Sequence, residues 1–261
     1  MTARVAMGEM SWVEYSKRIA VPGTISILPV GATEQHGPHM AMNTDVLLST
    51  GIALEVARRI NGIVSPTLNY GYKSIQRSGG GNHFSGTTSL DGNTLSCMVR
   101  DILRELARHG ARHVVLLNGH FENVYFLLEG ADLAIRELKA RNIDTFEVLT
   151  LTYWDFIEGD TVSKVFPEGF EGWALEHAGV METSLMLHLF PQFVDMSLAP
   201  AEIHAKFPPY DVLPPVPGLT PPEGCLASPA KATAAKGQLM FETVVSGIVE
   251  AVQREKQRRQ R

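Results

Sequence analysis

The sequence predicts an α/β fold with a mainly parallel sheet and helices on both of its faces. Short apolar segments rich in β-branched residues alternate along the chain with longer segments of helical period. That order is typical of parallel strands joined by helical crossovers. Glycine and polar residues directly follow two of the apolar segments, where strands of such a sheet end and ligands bind.

The first half of the chain is predicted to run helix, strand, helix, strand. Met10–Ile19 is a short amphipathic helix with Ser11 as its N-cap. Ile25–Val30 is apolar enough for a buried strand. Val46–Ile60 has helical period, and Ile63–Pro66 is a short strand that ends at its proline.

A long glycine-rich loop, Tyr70–Asp91, follows this strand. Its triplet Gly79–Gly81 is contiguous and does not open a helix directly from a strand, so it is not a dinucleotide fingerprint. A loop of this length in a compact domain is more often functional than not. The rest of the chain is predicted as helices Asn93–His109, Val124–Ala140, Met181–Phe190 and Ala230–Gln257, strands His113–Leu117 and Thr145–Thr152, a loop-rich region Trp154–Gly179 and a proline-rich arm Pro200–Pro229.

Length and composition bound the classes of protein that remain. The chain has 261 residues, of which 44% are hydrophobic and 20% charged, as in an ordinary globular protein. No internal repeat or second core is visible, so we predict a single domain over residues 1–261. The formal charge of −5 gives no basic footprint, which argues against nucleic acid as a partner.

The cysteines, the N-terminal residues and the length of the apolar runs predict a cytoplasmic protein. Cys97 and Cys225 form no spacing pattern and are expected to be reduced thiols. The N-terminal residues MTARVAMGEM lack the apolar core of a signal peptide. No apolar run is long enough to span a bilayer, so no membrane partner is expected.

Two short motifs carry the chemistry. Glu34 and His36 follow the first strand, and His120 and Glu122 follow the strand His113–Leu117 in the reverse order. A single Glu-x-His on a loop is usually a solvated turn. Two of them, each just past a strand and beside a glycine, with Asp45 in a loop nearby, predict a metal site. Carboxylate and imidazole together suit zinc, manganese or iron.

These residues occur in segments that resemble the creatininases, or creatinine amidohydrolases. The segments are LPVGATEQHGPHMAMNTDVLL, YGYKSIQRSGGGNHFSGTTSLDG, RELARHGARHVVLLNGHFEN, YWDF, FPEGFEGW and EHAGVMETSLML, and the similarity runs from about Trp12 nearly to the C-terminus. The resemblance implies a three-layer α/β/α sandwich, two divalent metal ions per subunit, and a homohexamer built as a trimer of dimers.

The resemblance also implies how the ligands are shared. Glu34 and His120 would hold one ion, His36 and Glu122 the other, and Asp45 would bridge both. The ions implied are Zn²⁺ with Mn²⁺ or with a second Zn²⁺. A water bridging two such ions becomes a hydroxide near neutral pH, and this hydroxide would attack the ring amide of creatinine to give creatine.

The substrate contacts implied by the resemblance come from several loops. His177 and Glu122 would be catalytic, with His177 giving the proton to the leaving ring nitrogen. Glu176 or Glu182 is expected to orient His177. The substrate-binding residues would be Ser78, Phe121, Trp154, Trp173, Ala174 and His177.

Two of these positions depart from the family pattern. The creatininases most similar to this chain carry tyrosine at the position of Phe121 and an acid at the position of Ala174, and both touch substrate there. The departures leave the metal chemistry unchanged but alter the pocket. A related cyclic-amide or formamide hydrolase with the same ions is therefore the alternative, and a non-catalytic metal-binding scaffold is a third hypothesis.

Overall fold

The computed structural model describes residues 4–203 and 205–258, and a parallel sheet runs through their centre. Its four strands lie in the order β2-β1-β3-β4, and every neighbouring pair is parallel. Val30 lies opposite Asn118, and Asn118 opposite Thr152, so three strands end level at one edge. The strands are β1 (Ile25–Val30), β2 (Ile63–Val64), β3 (His113–Asn118) and β4 (Glu147–Thr152).

The α-helices follow the predicted order. Ser11 caps the first of them by accepting a hydrogen bond from the Glu14 amide, as expected. The helices are α1 (Trp12–Ile19), α2 (Thr44–Ile60), α3 (Gln76–Gly79), α4 (Gly92–Arg108), α5 (Val124–Lys139), α6 (Asp160–Val165), α7 (Val180–Leu189) and α8 (Ala234–Arg258).

Five helix starts differ from the prediction, by one residue at α4 and α7, two at α1 and α2, and four at α8. The second helix begins at Thr44 rather than Val46, so Asp45 lies in its first turn and not in a loop. This places the Asp45 carboxylate at the positive end of a helix dipole. The last helix begins at Ala234, because a turn from Pro229 to Ala232 precedes it and the Thr233 hydroxyl accepts the Lys236 amide.

The sheet separates two hydrophobic cores, which gives three layers. Alternate residues of a strand point to opposite faces. Ile27 of β1 and Val115 of β3 pack into a core with α2, α7 and α8. Leu28 of β1 and Leu116 of β3 pack into a second core with α1, α4 and α5. The predicted sandwich is confirmed, with β1 and β3 buried on both faces.

The predicted loops contain little regular structure. The glycine-rich loop holds only the short helix α3, and the region 154–179 holds α6 and short 3-10 turns. The proline-rich arm is irregular in its described parts, which exclude residue 204. None of the helices formed by residues 4–203 and 205–258 is long and apolar enough to cross a membrane.

Candidate metal centre

The two motifs meet because their strands are neighbours. β1 pairs with β3, and after each of these strands the chain turns at a glycine past the same edge of the sheet. The start of α2 packs directly on both turns. A Cβ at Gly31 would lie 2.6 Å from the Val46 nitrogen, and one at Gly119 would lie 2.7 Å from the Asp45 oxygen. Only glycine allows the helix to come this close.

Asp45 therefore lies between the two motifs. Its Oδ1 is 3.0 Å from Nε2 of His36, and its Oδ2 is 3.0 Å from Nδ1 of His120. The same Nδ1 is 3.0 Å from Oε2 of Glu34. All four side chains are buried. Asp45 thus contacts one histidine of each motif, and its role as a ligand that bridges two ions stays a prediction.

The donor set fits a pair of divalent ions. Nine buried side-chain atoms among the described residues have no hydrogen-bond partner, and four of them belong to this centre: Glu34 Oε1, His36 Nε2, Asp45 Oδ2 and Glu122 Oε2. Buried polar atoms without partners are costly unless something else binds them. Two triplets of ligand atoms lie within 4.8 Å of one another and share Asp45; they are Glu34, Asp45 and His120, and His36, Asp45 and Glu182.

Glu122 lies on the His120 side of the centre. Its Oε2 is 3.2 Å from Nε2 of His120, and its Oε1 accepts hydrogen bonds from Ser78 Oγ at 2.5 Å and Ile75 N at 3.0 Å. The carboxylates in contact with His36 are Asp45 and, at 3.6 Å, Glu182. That Glu122 shares an ion with His36 stays a prediction, and Glu182 joins the candidate ligands.

From the sequence, Glu182 was expected only to orient His177. It lies in the first turn of α7, four residues beyond Ala178. Its carboxylate accepts a hydrogen bond from the Ala178 amide at 2.7 Å. Its nearness to the metal motifs depends on how α7 packs against α2, which no local pattern reveals. The one signal in the sequence is a carboxylate just after a candidate catalytic histidine.

Burial controls the charges of the acids at the centre. Desolvation raises the pKa of Glu34 to about 7, although nearby His120 opposes it. Burial would also raise the pKa of Asp45, but His36 and His120 outweigh it and hold that pKa well below its usual range. Asp45 is therefore the carboxylate that stays ionised most firmly.

The two histidines balance this charge. Burial lowers the pKa of His36, yet the carboxylates of Glu182 and Asp45 outweigh it and raise that pKa well above the usual range. His120 is raised in the same way, against burial, by Glu122 and Glu34. A bound cation would replace these two protons, because an imidazole must be neutral to ligate a metal.

A small cavity opens on this centre. It has a volume of about 20 Å³ and is lined by Glu34, Asp45, His120 and Glu122 together with predicted substrate residues. Phe121 lies parallel to Trp154, with ring centroids 6.1 Å apart and an angle of 6° between the planes. The predicted residues on its wall are Ser78, Phe121, Trp154, Trp173 and His177.

Ala174 is on a different wall. It lines a neighbouring cavity of about 360 Å³, which Ser78, Phe121 and Glu122 also line. The two cavities therefore adjoin at these shared residues. A side chain at position 174 would reach the metal centre only across this second space.

His177 is buried beside His36, with ring centroids 4.5 Å apart. Burial and the positive charge of His36 lower its pKa well below the usual range. Ala178, at a φ of 54°, turns the chain directly after it. Glu182 accepts the Ala178 amide, and Glu176 accepts the Met181 amide at 2.9 Å. Both carboxylates thus hold the backbone around His177.

Glu176 makes the stability of this turn depend on pH. Burial raises its pKa from 4.5 to about 7. The folded chain therefore binds this proton more tightly than the unfolded chain, so the free energy of unfolding falls as pH rises from 4.5 to 7. At pH 8 we expect the free energy of unfolding of Glu176→Gln, measured with urea, to exceed that of wild type by roughly 3 kcal/mol. Near pH 4.5 the free energies of unfolding of the two proteins should match.

Glutamine keeps an oxygen that accepts the Met181 amide, so the turn itself is preserved. The exposed Glu129→Gln, which is not among the charges that act on Glu176, serves as the control and should shift neither curve. An equal stability difference at both pH values would show that the proton on Glu176 is not the cause.

Comparison with known proteins gives consistent matches over almost the whole chain. The family model described as creatinine amidohydrolase matches residues 8–252. A creatinine amidohydrolase from Pseudomonas putida is 54% identical over 256 residues, covering 98% of each chain. Both comparisons extend over every residue of the candidate centre.

Solved structures agree with this result. A creatininase variant described as Zn-Zn type matches with a TM-score of 0.95 at 53% identity, covering 97% of this chain and 98% of that one. A structure described as creatininase Mn matches with a TM-score of 0.95 at 53% identity, covering 97% and 99%. A creatininase variant complexed with creatine matches with a TM-score of 0.94 at 52% identity, covering 97% and 99%.

Proposed function

The chain belongs to the creatininase family, and from this membership we propose that it interconverts creatinine and creatine by hydrolysing the ring amide. It is a hydrolase of the creatinine amidohydrolase type. The substrate assignment rests on the near-full-length similarity to a creatinine amidohydrolase, together with the related structure that is complexed with creatine. We propose that residues 1–261 act as a single metallohydrolase domain.

Two divalent ions per subunit, Zn²⁺ with Mn²⁺ or a second Zn²⁺, are part of the proposal. Glu34, Asp45 and His120 would hold one, and His36 and Asp45, with Glu122 as predicted, the other. The buried ligand atoms without hydrogen-bond partners support this assignment. When bound, the pair would supply a water activated as hydroxide and would polarise the amide carbonyl.

The protein's own residues hold the substrate and move the proton. The flat ring of creatinine would lie against Trp154, Phe121 and Trp173, whose faces suit a delocalised cation such as the guanidinium of creatine. His177, buried on the same cavity, would pass to the ring nitrogen the proton that the attacking water releases, so that the imidazole is neutral again once the amide bond has broken. Ser78 orients Glu122 through its hydroxyl.

A small substrate panel tests the function. Creatinine, creatine, hydantoins and formamides would each be incubated with enzyme loaded with Zn²⁺ or with Mn²⁺. We expect creatinine and creatine to be interconverted and the other amides to react more slowly. Faster turnover of a hydantoin or a formamide would favour the alternative hydrolase, for which the altered pocket at Phe121 and Ala174 is the support. No turnover of any amide would favour the scaffold.

We predict that Phe121→Tyr combined with Ala174→Asp improves creatinine hydrolysis. Phe121 is 42% exposed and lines both cavities, and Ala174 lines the larger one. A new hydrogen bond to a charged or strongly polar substrate group contributes about 1.5–3 kcal/mol. We expect KM to fall with kcat little changed, since the metal-centred step is untouched. Both single variants are the controls, and an unchanged or higher KM in the double variant would refute the prediction.

We also propose that the chain works in the cytoplasm as a homohexamer, a trimer of dimers. The proline-rich arm 200–229 supports self-association because an irregular segment of this length is seldom an idle connection. Light scattering at micromolar concentration is expected to give the mass of six chains. A monomer mass at that concentration would contradict the proposal.

A further inference from the structure

We infer that Gln35 is a positioning residue for catalysis: its side-chain amide donates a hydrogen bond to Nε2 of His177 and so holds that ring with its proton on Nδ1. The inference rests on the proposed role of His177. Gln35 is the central residue of Glu34-Gln35-His36 but is not one of the predicted metal ligands.

The surroundings of the amide fix which end is oxygen. The Gly37 amide donates to Oε1 of Gln35 at 2.9 Å. Nε2 of Gln35 lies 2.9 Å from the Gly224 oxygen and 3.3 Å from the Gly79 oxygen. Turning the amide over would place its oxygen against two carbonyl oxygens and its NH₂ against an N–H, so this orientation is the one that the network supports. The two N–H groups of Nε2 then go to the two nearest acceptors, the Gly224 oxygen at 2.9 Å and Nε2 of His177 at 3.0 Å, and the Gly79 oxygen is a more distant neighbour.

The tautomer of His177 follows from that orientation. Nε2 of Gln35 is a donor, and Nε2 of His177 lies 3.0 Å from it. A nitrogen that faces a donor must offer its lone pair, so Nε2 of His177 accepts. The neutral ring then carries its one proton on Nδ1. Such tautomer control by a second group is common where histidine moves protons.

The fold encloses this amide closely. Gln35 is 6% exposed. Gly224 has a φ of 82°, and a Cβ there would collide with Oε1 of Gln35. A Cβ at Gly80, also at a φ of 82°, would lie 3.0 Å from Nε2. The glycine triplet and the segment after Pro222 thus form a cradle that leaves the amide one orientation.

The same segment also holds the backbone of His177. The Leu226 amide donates to the His177 oxygen at 3.1 Å. Gln35 therefore links the turn that carries the first metal motif to the histidine loop and to residues 224–226. This explains why the glycine-rich loop and the end of the proline-rich arm both reach the centre.

The test compares Gln35→Met, which keeps the shape but donates nothing, with Gln35→Glu, which presents an acceptor. In metal-loaded enzyme we expect each to lower kcat by about 10- to 100-fold, with KM and ions per subunit unchanged. The control is Gln76→Met, because the Gln76 amide also bridges two segments, through Val216, but touches no ring of the centre. It should keep wild-type kinetics.

A double variant separates positioning from packing. If Gln35 acts through His177, adding Gln35→Met to His177→Ala should cost no further turnover. A further loss of tenfold or more in the double variant would mean that Gln35 serves the fold or the metals instead, and the inference would be overturned.

The tautomer is measured without any turnover. ¹⁵N NMR of histidine-labelled holoenzyme, with the His177→Ala spectrum subtracted, should show a protonated Nδ1 in wild type and a protonated Nε2 in Gln35→Glu. A protonated Nε2 in wild type would refute the inference even if the enzyme is active. Failure of the proposed function would be seen separately, as no turnover of creatinine or creatine by a metal-loaded wild type whose spectrum still shows the protonated Nδ1.

Discussion

Asp45→Ala is expected to abolish turnover and to lower the content of both metal ions. Asp45 contacts His36 through one carboxylate oxygen and His120 through the other, each at 3.0 Å. It belongs to two of the three triplets of candidate ligand atoms among the described residues, the third being Glu34, His36 and His177. Removing it takes one ligand from each ion at once, whereas any other substitution in either triplet takes a ligand from one ion only.

Metal analysis by mass spectrometry and a turnover assay with added Zn²⁺ or Mn²⁺ measure this effect. Binding of an ion to the folded state alone raises stability, so added Zn²⁺ should raise the melting temperature of wild type but not of the variant. Asp132→Ala, which removes an exposed carboxylate on α5, is the control and should behave as wild type. Two ions per subunit in Asp45→Ala would exclude the bridging role.

His177→Ala should slow turnover by roughly 10²-fold or more while the metal content stays intact, the usual scale for a positioned acid or base. The ring lines the cavity at the metal centre, is buried, and is hydrogen-bonded to Gln35. None of the predicted ligand pairs requires it. We expect the loss to fall on kcat, because the proton is needed only as the ring nitrogen leaves.

The same assays measure this variant, with His83→Ala as the control. His83 is exposed and contacts Phe84 in the glycine-rich loop, so its loss should change neither turnover nor metal content. Turnover near the wild-type rate in His177→Ala would remove His177 from the mechanism and leave the proton donor to another group. Loss of metal together with activity would make His177 a ligand.

The sequence by itself determined the layered fold and the meeting of the two metal motifs. Both depend on short-range patterns: β-branched apolar segments form strands, helical period forms the crossovers, and parallel strands end at a common edge. Glu34 and His36 follow one strand and His120 follows another, which placed all three at the carboxyl edge of the sheet; the structure adds that β1 and β3 are neighbours there. Asp45 needed only a short connection to reach them.

Only the tertiary structure decided the surroundings of these residues. Glu182 reaches His36 because α7 packs against α2 and α8, and Gln35 reaches His177 across 142 positions of the chain. Ala174 faces the larger cavity instead of the metal cavity. Such contacts depend on how whole helices and long loops pack, and packing of distant segments is set by the shape of the entire core rather than by residues nearby in sequence.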